Sequence, residues 1–169
     1  MKALGVDPGY GRVGVAVVER IHEKERLLYS SCIETDSSHP TPLRLRHIGE
    51  KIERLIETWS PDILATERIY FSKNQKTAMG VSEARGVILY LAGKLGIPVL
   101  EFTPLEVKVT VTGYGKASKE QLAHMVATLL LLGKPPHSDD ECDAIGLALT
   151  AIARRGCLYP QKGRGSIEK

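Results

Sequence analysis

No apolar run in the sequence approaches the roughly 18 residues that cross a bilayer. The opening Met-Lys-Ala-Leu-Gly-Val-Asp reaches an acid before a signal-like stretch can develop. A cytoplasmic chain, neither spanning nor exported, is therefore expected. Cysteine is scarce: Cys32, Cys142 and Cys157 are odd in number, widely spaced and without a Cys-x-x-Cys pair. That spacing excludes a disulfide framework and a cysteine-based zinc site, and it suits a reducing compartment. A dominant charge is missing too, since 23 Lys and Arg against 20 Asp and Glu leave +3, with a pI near 8.7. This balance permits binding to phosphate backbones without demanding it. The second half does gather bases, among them Lys108, Lys116, Lys119, Arg154 and Arg155, which favours a polyanionic partner weakly.

What is present is ordinary for a globular domain: 169 residues, 43% hydrophobic and 25% charged, enough to bury a core without staples. Ala3 to Val6 and Val13 to Val18 are short β-branched runs separated by Asp-Pro-Gly-Tyr-Gly-Arg, the composition of a hairpin turn. Leu27 to Thr35 continues as a third strand after the charged turn 22–26. From Pro42 to Trp59, apolar residues at Leu45, Ile48, Ile52, Leu55, Ile56 and Trp59 have helical spacing, and Pro61 stops the run. Ile63 to Thr66 reads as a buried strand, Thr77 to Leu95 as a helix and Pro98 to Phe102 as a fifth strand. Ser118 to Leu132 and Ser138 to Arg154 read as two further helices, the last opened by a Ser138/Glu141 capping box. The order β-β-β-α-β-α-β-α-α implies an α/β fold, a mixed five-stranded sheet with helices on both faces. The domain is expected to occupy 1–155. Residues 156–169, with Gly156, Pro160, Gly163 and Gly165 among bases, read as a flexible tail.

Four acids stand out. Asp7 closes the first strand and precedes Pro-Gly, where a turn aspartate bonding its own backbone is an equal reading. Glu67 closes the fourth strand, at the end where ligand groups collect in open α/β sheets, although a surface glutamate is the commoner occupant. Asp139, Asp140 and Glu141 in a first helical turn are favoured by the helix dipole whatever their role. Asp143 has no such account, since it heads Ala-Ile-Gly-Leu-Ala-Leu and shares a face with Leu147. An acid aimed at the core needs a partner. If the two strand ends meet the last helix, the four carboxylates converge and repel. Hard cations such as Mg²⁺ or Mn²⁺ relieve that repulsion, and two of them about 4 Å apart assist phosphodiester hydrolysis.

Asp7-Pro-Gly, Glu67 with Ile69-Tyr70-Phe71 and Asn74, Ala84-Arg85-Gly86, Lys108-x-Thr-Val-Thr-Gly-x-Gly, Lys119, and Asp140-x-x-Asp143-Ala occur in this order over residues 1 to about 153. Together they resemble the RuvC-type Holliday junction resolvases of bacteria. The resemblance implies a ribonuclease-H-like fold and a homodimeric endonuclease that makes paired nicks in four-way junction DNA. Attack by water would leave 5′-phosphate and 3′-hydroxyl ends. It also implies cooperation with the RuvA and RuvB branch-migration proteins.

Carried over residue by residue, the resemblance makes Asp7, Glu67, Asp140 and Asp143 the catalytic acids, holding two Mg²⁺ (or Mn²⁺) ions. The spacing selects Asp140 over Asp139, although some relatives carry histidine there. Tyr70 falls where the family often has a stacking phenylalanine. Lys108, Lys119, Asn74 and Arg85 become DNA contacts, and the helix over 77–95 becomes the dimer contact, with Leu91 as its test position. Two other readings stay open at this point: a junction-binding protein without nuclease activity, and an actin-like or sugar-kinase ATP-binding domain. The second would need another domain to close over nucleotide.

Overall fold

A computed structural model describes residues 1–68 and 75–158, with backbone alone at 75–77 and 155–158. Five strands, β1 (Lys2–Asp7), β2 (Arg12–Ile21), β3 (Lys24–Glu34), β4 (Ile63–Glu67) and β5 (Val99–Phe102), form one sheet in the order β3-β2-β1-β4-β5. β2 alone runs against the other four. The β2–β3 hairpin is tight, with His22 and Glu23 both at positive φ, the backbone sense that matches strand twist in two-residue turns.

The helices are α1 (Thr41–Trp59), α2 (Gln75–Lys94), α3 (Pro104–Thr112), α4 (Lys119–Leu129) and α5 (Asp139–Leu158). Helix α1 buries Ile48, Ile52 and Ile56 on one stripe, as its spacing predicts, and ends where Ser60 in the left-handed region donates its amide to Ile56 O. With α2 it covers one sheet face, against Leu4, Val6, Val13, Val15 and Leu64. Helices α3, α4 and α5 cover the other, against Ala3, Ala16, Ala65 and Phe102. The alternation along each strand splits the core in this way: Leu4 and Val6 go to one layer, Ala3 and Gly5 to the other.

Three expectations are corrected. Helix α3 is an additional element, so the order ends α-α-α. It begins with a capping box, Thr103 and Glu106 each bonding the other's backbone amide, and Pro104 opens its first turn. Its β-branched run Val107, Val109, Thr110, Val111 and Thr112 is poor in helix propensity. Tertiary packing of Val107 and Val111 overrides that preference. Helix α5, expected to end at Arg154, continues to Leu158. Leu91 cannot be a dimer contact, because it is 6% exposed and sits in the layer beneath α1. The exposed apolar residues of α2 are Met79 and Tyr90.

Candidate active site

Asp7 and Glu67 lie side by side because their strands are parallel neighbours. The pairing runs Ala3 with Ile63 through Val6 with Thr66, and each acid is the next residue on its strand. Both point to the face covered by α3–α5. The third acid, Asp143, reaches them because α5 lies unusually close to the sheet. An added Cβ at Gly5 would stand 2.0 Å from the Ala144 carbonyl oxygen, and one at Gly14 would stand 1.9 Å from that of Asp140. Only glycine permits this approach, so two small residues in the sheet place the first turn of α5 over the ends of β1 and β2.

The electrostatics record the convergence. Burial, then the charges of Asp143, Glu67 and Asp140, push the Asp7 carboxyl from 3.8 up to about 7, with Lys119 opposing. Burial and Asp143 raise Glu67. Burial raises Asp143, opposed by Lys119 and assisted by Asp139 and Asp140. Glu67 and Asp143 open onto a cleft of about 220 Å³ whose other walls are Pro104, Val107, Lys108, Lys119 and Leu147. A partly buried all-carboxylate set that cannot hold its full charge without a cation fits a hard divalent ion. Among the described residues no three such groups already stand in the geometry of a metal cage. Asp140 is turned to the rim, where Arg12 Nε binds its Oδ2 at 3.0 Å.

The two adjacent aspartates therefore have different partners. Asp139 is exposed and ion-paired with Lys119 at 2.8 Å, which holds that lysine at the cleft, while Asp140 shares the field of the buried acids. The Ser138 hydroxyl accepts the Glu141 amide as a cap, but the Glu141 carboxylate accepts from Ser30 Oγ at 3.2 Å. Of the residues expected to meet DNA, Lys108 and Lys119 line the cleft. Arg85 does not: it is three-quarters buried and ion-paired to Glu101 at 2.6 Å. Tyr70 and Asn74 lie outside the described residues. Sequence reasoning missed Arg12 and Tyr10. Tyr10 stacks on Arg44, 3.7 Å from guanidinium to ring centre, and its hydroxyl shares a 2.7 Å hydrogen bond with the Thr41 hydroxyl, which fastens the turn after Asp7. The only local signal for either was proximity to Asp7-Pro-Gly.

A mixed sheet in this order, with acids closing two central parallel strands and a third on a helix laid across them, defines a ribonuclease-H-like nuclease core. Comparison with known proteins narrows the class. The family model for the crossover junction endodeoxyribonuclease RuvC matches residues 3–151, and the chain belongs to that family. A RuvC of Brevibacillus brevis is 44% identical over 163 residues, covering 96% of this chain and 98% of the relative. The Thermus thermophilus RuvC structure, at 32% identity, superposes with a TM-score of 0.83 over 92% of this chain and 97% of that one. The same protein in complex with a Holliday junction substrate gives 0.86, also at 32% identity, over 92% and 96%. The chain is accordingly a phosphodiester hydrolase of the crossover-junction endodeoxyribonuclease class.

Proposed function

We propose that this chain resolves four-way DNA junctions by paired, symmetric, metal-dependent nicks that leave 5′-phosphate and 3′-hydroxyl ends, in recombination and repair. The observation that carries the reading is the meeting of Asp7, Glu67 and Asp143 at the ends of β1, β4 and the head of α5, with the Asp7 carboxyl pushed up to about 7. Asp7, Glu67, Asp140 and Asp143 would hold two Mg²⁺ ions, or Mn²⁺ in their place. Bound there, the ions would neutralise the cluster and act as Lewis acids toward the phosphate.

The chain's own residues do the rest. Asp7 is held by the centre of the sheet and is the most rigidly placed of the four. Lys108 and Lys119 set positive charge on two walls of the cleft, where they bind the backbone phosphate and offset the charge that builds as water attacks. Pro104, Val107 and Leu147 make the floor apolar, which strengthens these interactions. Tyr70 would stack on a base at the junction centre, and Asn74 would be a further DNA contact.

A two-fold dimer presents two such clefts to two opposed strands of a roughly two-fold substrate. The exposed apolar pair Met79 and Tyr90, three turns apart on α2, is the face we assign to that contact. Work with RuvA and RuvB in the cytoplasm follows from the same reading.

The test is incubation of a mobile four-way junction and a matched linear duplex with Mg²⁺ and, separately, with EDTA. Symmetric nicks confined to the junction and to Mg²⁺ are expected. Tight junction binding without cleavage would overturn the assignment.

A further inference from the structure

Among the described residues, Asp140 is the one acid of the four in an ion pair. Arg12, first residue of β2, is ion-paired through Nε with Asp140 Oδ2 at 3.0 Å; its Nε–H donates to Cys32 Sγ at 3.5 Å, and the Cys32 thiol in turn donates to Asp140 Oδ2 at 3.9 Å. The backbone of Asp140 cannot follow its side chain, because it is seated on Gly14, where even a methyl group would collide with it. With the backbone fixed, side-chain rotation is the movement that would carry its carboxylate from the rim, where it meets Arg12, toward Asp7 and Asp143. Even from the rim, the Asp140 charge raises Asp7 and Asp143, so it stands close to the cluster.

We infer that Arg12 is a latch: it draws the Asp140 carboxylate away from the other three acids in the empty enzyme and must release it before Asp140 joins them around a cation. This rests on the reading of the cluster as a metal site. Arg12 is a positioning residue, acting through Asp140. Its side chain is half exposed, so the pair is weak enough to exchange. A DNA phosphate at the rim competes for the same guanidinium. Taking Arg12, the phosphate frees Asp140, so strand and cation favour each other's binding, and by linkage each does so equally.

The experiment is calorimetric titration of Mn²⁺ into the full chain, without DNA, for the wild type and the Arg12→Gln, Lys108→Gln and Asp7→Asn variants. Losing a half-exposed pair predicts that Arg12→Gln binds Mn²⁺ roughly three- to fivefold tighter than wild type. The gap should narrow as KCl is raised, because salt weakens the latch in the wild type. Lys108→Gln removes the same charge from the α3 wall, so a gain of equal size there would reduce the effect to net charge and overturn the latch. An unchanged or weaker affinity in Arg12→Gln would overturn it too. Failure of the underlying reading looks different: the wild type binds no Mn²⁺, or Asp7→Asn binds it as well as the wild type does.

Discussion

Gly5 of β1 and Ala144 of α5 meet backbone to backbone, with the space for a Cβ on Gly5 already taken by the Ala144 carbonyl oxygen 2.0 Å away. The nearness of Asp7, two residues further along β1, to Asp143, the residue before Ala144, depends on that approach. Gly5→Ala is expected to lift α5 from the sheet. The cost should be about 3 kcal/mol in urea unfolding, with a loss of cleavage of about a hundredfold in whatever folds, since misplacement by about 1 Å has that effect. A variant as stable and active as wild type would show that the helix can slide without consequence.

Asp7 has two roles that one substitution separates. Its carboxyl titrates near 7 in the folded, metal-free chain and near 3.8 when unfolded. The folded state therefore holds an extra proton between those values. Stability from this group is complete below about pH 4 and is lost as the pH rises through 7. In EDTA at pH 8, Asp7→Asn should be more stable than wild type by on the order of 2–3 kcal/mol, the difference closing toward pH 4. With Mg²⁺ the wild type should gain stability and the variant should not. Junction binding by the variant should persist while cleavage falls at least about a hundredfold. Retained Mg²⁺-dependent cleavage would remove Asp7 from the site.

Lys119 and Arg85 were grouped by sequence as DNA contacts, yet they differ in surroundings. Lys119 is exposed at the cleft beside Asp139, whereas Arg85 is three-quarters buried against Glu101. Junction affinity measured across a salt series separates them. Lys119→Gln should lower the slope of log affinity against log salt by about 1, as loss of one phosphate contact does. Arg85→Gln should leave the slope unchanged and instead lower stability by about 1–2 kcal/mol, because it leaves the Glu101 carboxylate without its partner.

The outer face of α2 is the expected two-fold contact, and Met79 and Tyr90 are its exposed apolar residues. Asp substituted at both should give a folded monomer by light scattering, with unchanged circular dichroism. The same charge at Leu91 would unfold the layer beneath α1 and report nothing about assembly. A dimer surviving the double substitution would move the interface elsewhere.

Residue order alone made most of the elements legible, because apolar spacing of two or of three to four reports which face of a strand or helix is buried, and that is local information. The acids at the strand ends were visible for the same reason. Helix α3 was not read, since its β-branched residues argue against a helix and only the packing of Val107 and Val111 under α5 outweighs them. The Asp-x-x-Asp spacing of the family resemblance selected Asp140 over Asp139, but no spacing reported what each one meets: Lys119 on one side and Arg12 on the other. The pairing of Arg85 with Glu101, sixteen residues on in β5, was likewise beyond local spacing. The pKa of Asp7 belongs to the same class of property: burial and three distant carboxylates raise it, and their convergence exists only after β1, β4 and α5 have packed.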